Sequence, residues 1–169
     1  EKDGLITEIF APGDSVLVQI TKEPIHTKGP RITSEISIAG RYLVLVPFSE
    51  RVSISQKIKQ KPERDRLIKI LEGLTPEGFG VIIRTVAEEK NAEELQADLS
   101  YLLNKWTQIF KNLQKKKAPA KILSEMDRAS SILRDNFNDD FVKISVDDSE
   151  LADEMREYLE VIAPDKISL

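Results

Sequence analysis

The stretch from Asn91 to Lys117 places the strongest constraint on how this chain can fold. Leu95, Leu99, Leu102, Leu103, Trp106, Ile109, Phe110 and Leu113 recur at helical spacing and continue one apolar face. Asn91 can cap that helix, with Glu94 three residues on to complete a capping box. The spacing predicts one long helix running to Lys115, Lys116 and Lys117, whose charges suit the negative end of the helix dipole. Trp106 lies on the apolar stripe and reads as core.

The segments before that helix carry both periods. "DSVLVQITKE", with Val16, Val18 and Ile20, predicts a strand after the turn "APGD". "HTKGPRITSEISIAGRYLVLVP" is a second extended region, and the two make a hairpin with an Ile25 to Arg31 loop. Gly40 interrupts it, so the sheet is expected to bend or change partners there. "FSERVSISQKIKQK" reads as a polar connection. Pro62 to Gly73 then reads as a helix, with Leu67, Ile68, Ile70 and Leu71 in period. "GVIIRT" is short, β-branched and preceded by glycines, which predicts a strand. After the break "APA", a helix is expected over Met126 to Asn136. A strand is expected in "DFVKISVDD", with Phe141, Ile144 and Val146, and a capped helix over Ser149 to Ile162. The fold class is therefore α+β.

Composition narrows the chemistry. The chain has 169 residues, 40% of them hydrophobic, enough for a packed core and a soluble globular fold. Its formal charge of −4 lacks the global basic excess of many nucleic-acid binders, so any anion site must be local. With no cysteine and one histidine, His26, there are no disulfides, thiolate ligands or histidine clusters for zinc. An intracellular, cytoplasmic location is the simpler expectation. No apolar run approaches a membrane span, and the N-terminal residues lack signal-peptide order.

Adjacent acids occur at Glu88-Glu89, Asp139-Asp140 and Asp147-Asp148. Neighbours on a strand point to opposite faces, so these pairs read as solvated turns or caps rather than converging carboxylates. His26 reads as a surface residue. Lys28, in the loop "TKGP", could reach a phosphate from a hairpin tip. Arg84-Thr85, at the end of "GVIIRT", joins a planar fork that can hold two phosphate oxygens to a hydroxyl donor. Taken from the residues alone, each of these reads first as an exposed surface position.

Together, "KEPIHTKGPRITSEISIAGRYLVLVP", "ISQKI", "PEGFGVIIRT", "AEELQADLSYLLNKW" and "KAPAKIL" resemble the catalytic half of the ribonuclease E/G family, bacterial endoribonucleases of ribosomal RNA processing and messenger RNA decay. The resemblance implies that residues 1–34 are the closing part of an OB-fold RNA-binding domain and residues 35–125 a 5′-sensor subdomain. Residues 126–169 would then begin an RNase H-like segment. It implies a pocket for a 5′-monophosphate in which Arg84 grips the phosphate, Thr85 donates to it, Gly40 admits the RNA backbone and Val44 packs against the terminal base. Lys28 is implied to contact single-stranded RNA near the cut. Magnesium is the implied cofactor, with its aspartate ligands beyond Leu169, so neither a catalytic nor a metal-ligating residue is expected within this chain. A homo-oligomer is implied for the intact enzyme.

The chain departs from the family pattern in two places. It has Ser55-Gln56-Lys57 where relatives read Ser-Arg-Arg, which implies a weaker or redistributed phosphate contact. It has "VAEEKN" after Thr85 in place of a glycine-containing turn. The alternative class is a noncatalytic RNA-binding or oligomerising interaction module that kept the fold without the nuclease.

Overall fold

The structure, a computed structural model, describes residues 4–124, 128–137, 140–162 and 167. It divides into two compact units, Glu1–Leu123 and Ser124–Leu169. The mixture of helices and strands makes the fold α+β.

The first unit begins with a single helical turn, α1 (Ile6–Ile9). β1 (Gln19–Lys22) and β2 (Arg31–Thr33) follow and pair antiparallel, with an Ile25–Lys28 bridge closing the loop. The hairpin is thus as predicted, but the first strand is shorter. Residues 14–18 are irregular, and Val16 and Val18 stay about 40% exposed, because β2 reaches back only as far as Gln19 and a strand needs a partner for its ladder. The side chain of Gln19 then fastens this hairpin to the next segment. Its Nε2 donates to the carbonyl of Ser37, and its Oε1 accepts from the Ser37 N–H.

A four-stranded sheet carries the rest of the unit, in the order β3 (Ile38–Ala39), β4 (Leu43–Pro47), β6 (Phe79–Ile83), β5 (Val52–Ile54). Gly40 is where the chain reverses, between β3 and β4; the change of sheet falls earlier, between Thr33 and Ile38. β5 lies within the stretch read as a polar connection. Its signal was the alternation of Val52 and Ile54 around Ser53, three residues too few to stand out among polar neighbours. β5 runs parallel to β6, and the helix α2 (Lys61–Leu74) makes the crossover such a pair requires.

The predicted long helix is α3 (Ala92–Lys115), with the Asn91–Glu94 capping box formed in both directions. It packs on β4 and β3, while α2 packs on β5 and touches α3. Leu43, Leu45, Val81 and Ile83 from the sheet meet Leu67 and Leu71 of α2 and Leu95, Leu99 and Leu102 of α3 in one buried cluster. Each fully buried leucine of this kind contributes about 1.5–3 kcal/mol. Trp106 is buried, with its ring edge-on to Phe48, Phe79 and Phe110.

In the second unit, α4 (Arg128–Asn136) and α5 (Ser149–Ile162) match their predicted helices, with Met126 outside the described residues. Asp148 caps α5, its Oδ1 accepting the Leu151 N–H at 2.8 Å. The strand expected in "DFVKISVDD" is absent: residues 141–146 are irregular. Phe141, Ile144 and Val146 pack on Leu133, Phe137, Met155, Tyr158 and Leu159 between and beside the two helices. Their apolar spacing met the need for burial, and among the described residues no strand of this unit offers a hydrogen-bonding edge.

Candidate functional site

Antiparallel pairing of β4 with β6 sets Leu43 opposite Ile83 and Val44 opposite Ile82. The turn before β4 and the residues after β6 therefore meet at one end of the sheet. Strand alternation sends Leu43 and Ile83 into the core and turns Val44 and Ile82 to the face away from the helices, where Ile82 is 42% exposed.

At that end, Arg84 continues the ladder by donating its backbone N–H to the carbonyl of Tyr42 at 2.8 Å. Its side chain returns to the same turn, where Nη1 donates to the carbonyls of Gly40 at 2.7 Å and Arg41 at 3.1 Å. The guanidinium is thus held against the β3–β4 turn by a pair of short bonds. Arg41 leaves the turn beside it, its guanidinium 5.2 Å from the centre of the Tyr42 ring.

The other side of the turn is held by a residue that the sequence reading did not single out. Asp98 of α3 accepts the backbone N–H groups of Arg41, Tyr42 and Leu43 at 3.0, 2.9 and 2.9 Å. Burial pushes its carboxyl above the usual range, while those N–H groups and the nearby Arg84 pull it down. A signal for it existed: position 98 falls between Leu95, Leu99 and Leu102, so an acid stands on the buried stripe of the helix. The carboxylate also explains Gly40. A Cβ there would lie 2.7 Å from both Asp98 oxygens, closer than any side chain tolerates.

Thr85 opens a short 3-10 turn (Thr85–Ala87). Its hydroxyl lies 3.0 Å from that of Ser55, the residue just after β5. Ser55 is fixed by its own backbone. Its N–H donates to Ile83 at 2.9 Å, and Nη1 of Arg64 from α2 donates to its carbonyl at 2.9 Å. Gln56 and Lys57 follow, both exposed.

The glycine-free loop after Thr85 keeps a glycine-like backbone, because Glu89 takes a φ of +64°. Its N–H donates to Oε1 of Glu63 at 2.8 Å. Glu63 is gripped by Arg66 through two bonds of 2.7 Å, and Arg66 also donates to the carbonyl of Lys90. This bonding with Arg66 lowers the Glu63 carboxyl below its ordinary range.

Of the sequence-predicted residues, then, Gly40, Val44, Arg84 and Thr85 gather at one end of the sheet. Lys28 does not join them: it lies in the β1–β2 hairpin loop, its N–H and carbonyl paired with Ile25. Among the described residues, no three acidic or histidine side chains come together as a metal site, and no helix is long and apolar enough to cross a membrane.

A family model, the ribonuclease E/G family, matches residues 37–169, which include the whole sheet end. The chain belongs to the ribonuclease E/G family. Among individual relatives, ribonuclease E of Nostoc sp. is 40% identical over 92% of this chain, and ribonuclease E of Synechocystis sp. is 35% identical over 85%. Ribonuclease G of Escherichia coli is 32% identical over 96% of it. The chain spans 23%, 21% and 33% of those three proteins, respectively. In this ribonuclease E/G chain the matched region holds the Gly40–Thr85 cluster, while Lys28 lies before it.

Proposed function

We propose that the chain is the RNA-binding, 5′-monophosphate-sensing segment of a single-strand-specific endoribonuclease acting in ribosomal RNA processing and messenger RNA decay. The observation that carries this reading is the Arg84 guanidinium, held on the Gly40 and Arg41 carbonyls with the Thr85 hydroxyl next in the chain. A terminal phosphate offers several oxygens and nearly two negative charges, and a planar cation with an adjacent hydroxyl meets both demands. A 5′-hydroxyl offers neither. Val44 and Ile82 supply an apolar face for the first base, and Gly40, whose missing Cβ leaves room for the Asp98 carboxylate, lets the turn that carries Arg84 be held from beneath. Lys28, on the hairpin of the proposed OB portion, would touch RNA nearer the cut.

In the same reading, the magnesium-dependent hydrolysis belongs to acidic residues outside this chain. Assembly of the intact enzyme as a homo-oligomer, and its work in the cytoplasm, belong to the same reading.

The test uses the full-length protein that carries this chain, with matched oligonucleotides bearing a 5′-monophosphate or a 5′-hydroxyl. Wild type is expected to bind and cleave the monophosphorylated strand preferentially. Arg84→Ala, checked for folding by circular dichroism, is expected to reduce that preference by about 10-fold or more, the worth of one charge-assisted pair. Equal affinities in all four combinations would overturn the reading.

A further inference from the structure

Two hydroxyls 3.0 Å apart share a single proton between them, so the Ser55–Thr85 contact has a direction that the distance alone does not give. Each hydroxyl has one proton to donate and two lone pairs to accept with. A neighbouring donor and the bound anion together favour one of the two arrangements. Ser55 Oγ already accepts the backbone N–H of Lys57 at 3.3 Å. If Ser55 gives its own proton to Thr85, a directed chain runs from Lys57 N–H through Ser55 to Thr85, and the Thr85 proton is turned outward. Donors polarised in series strengthen one another, and an anion beyond Thr85 favours this arrangement over its reverse.

We infer that Ser55 is a positioning residue for the 5′ phosphate: it accepts from the Lys57 N–H, donates to Thr85, and thereby commits the Thr85 hydroxyl to donating to the bound anion. The inference rests on the sensor reading above. It adds to that reading a residue whose partner is Thr85 rather than the RNA, and it gives the Ser55-Gln56-Lys57 segment a task of its own.

The placement of Ser55 supports this role. Its N–H extends the β5–β6 ladder onto Ile83, one residue before Arg84 and two before Thr85. Its carbonyl is gripped by Arg64, which also donates to the carbonyl of Ile58 at 3.0 Å and so closes the loop that brings the Lys57 N–H back over Ser55. The backbone of Ser55 is therefore fixed at its N–H and its carbonyl, and Oγ lies between the Lys57 N–H and the Thr85 hydroxyl.

A double-mutant cycle in the full-length protein tests the inference, reading the ratio of affinities for 5′-monophosphorylated and 5′-hydroxyl oligonucleotides. Ser55→Ala leaves the Thr85 hydroxyl in place but undirected, and is expected to lower the ratio several-fold. Ser55→Thr restores a hydroxyl and is expected to restore the ratio. Thr85→Val removes the donor itself, and adding Ser55→Ala to it should change nothing more. Affinity for the 5′-hydroxyl strand should stay level throughout, which a general loss of folding would not allow. A further drop on adding Ser55→Ala to Thr85→Val would mean that Ser55 meets the phosphate directly, and would overturn the inference while leaving the sensor standing. So would a Ser55→Ala protein with the wild-type ratio. A wild-type protein that does not distinguish the two strands removes the sensor reading and this inference together.

Discussion

Asp98 holds more of the site together than any residue that would touch RNA. Three backbone N–H groups converge on its carboxylate, and two of the bonds, from Tyr42 and Leu43, are buried, so those donors are left stranded if the carboxylate is removed. Asp98→Ala is expected to lower stability by about 3 kcal/mol or more, read as a fall in the urea midpoint, because each stranded buried donor costs on the order of 1–3 kcal/mol. Asp98→Asn keeps the shape but sets an amide N–H₂ against an N–H donor, and should fall between Ala and wild type. A stability for Asp98→Ala within 0.5 kcal/mol of wild type, a bound of about the size of an ordinary surface substitution, would mean the turn does not depend on that carboxylate. Glu89 poses the opposite case. Its left-handed backbone suits glycine, so Glu89→Gly is expected to raise stability by roughly 0.5–1 kcal/mol, the relief of the αL cost less the added freedom of the unfolded chain. The same denaturation series measures it, and a loss of stability would show that the Glu89 side chain holds the loop.

At the scale of elements, the loop between β6 and α3 is held from α2 through Glu63 and Arg66. The Glu63 carboxyl has its proton affinity lowered, first by the hydrogen bond from Arg66 and also by the Glu89 N–H. A depressed carboxyl contributes stability that is present above its unfolded value and is lost as pH falls through its folded value. The acid side of the stability profile, below about pH 4, should therefore steepen with Glu63 present and flatten in Glu63→Gln. Chemical denaturation at a series of pH values measures this, and superimposable acid limbs would contradict it. The long helix was legible because its cap and its stripe are local: Asn91, Glu94 and leucines at fixed spacing need no knowledge of the partner. β5 was not, because three residues carry little periodicity and become a strand only where β6 offers an edge. The segment 141–146 shows the same rule in reverse. Its apolar residues found a surface to cover, but found no edge with which to pair.

Over the whole molecule, the resemblance read from ordered motifs named the family that the comparisons then showed, because it drew on intervals across the chain rather than on any one dipeptide. The sequence by itself determined the leucine stripe that the long helix would bury, where that helix would begin and that Arg84-Thr85 would stand at the end of a strand, since propensity, capping and hydrophobic period act over a few neighbouring residues. It could not say what Arg84 would touch. Only the tertiary structure decided that β4 and β6 lie side by side, so that Arg84 meets Gly40 across 44 positions and Asp98 meets Leu43 across 55. Local preferences place a side chain on a face. The contacts that turn that face into a site come from the pairing of distant strands, and the register of that pairing is fixed by the shared core beneath them.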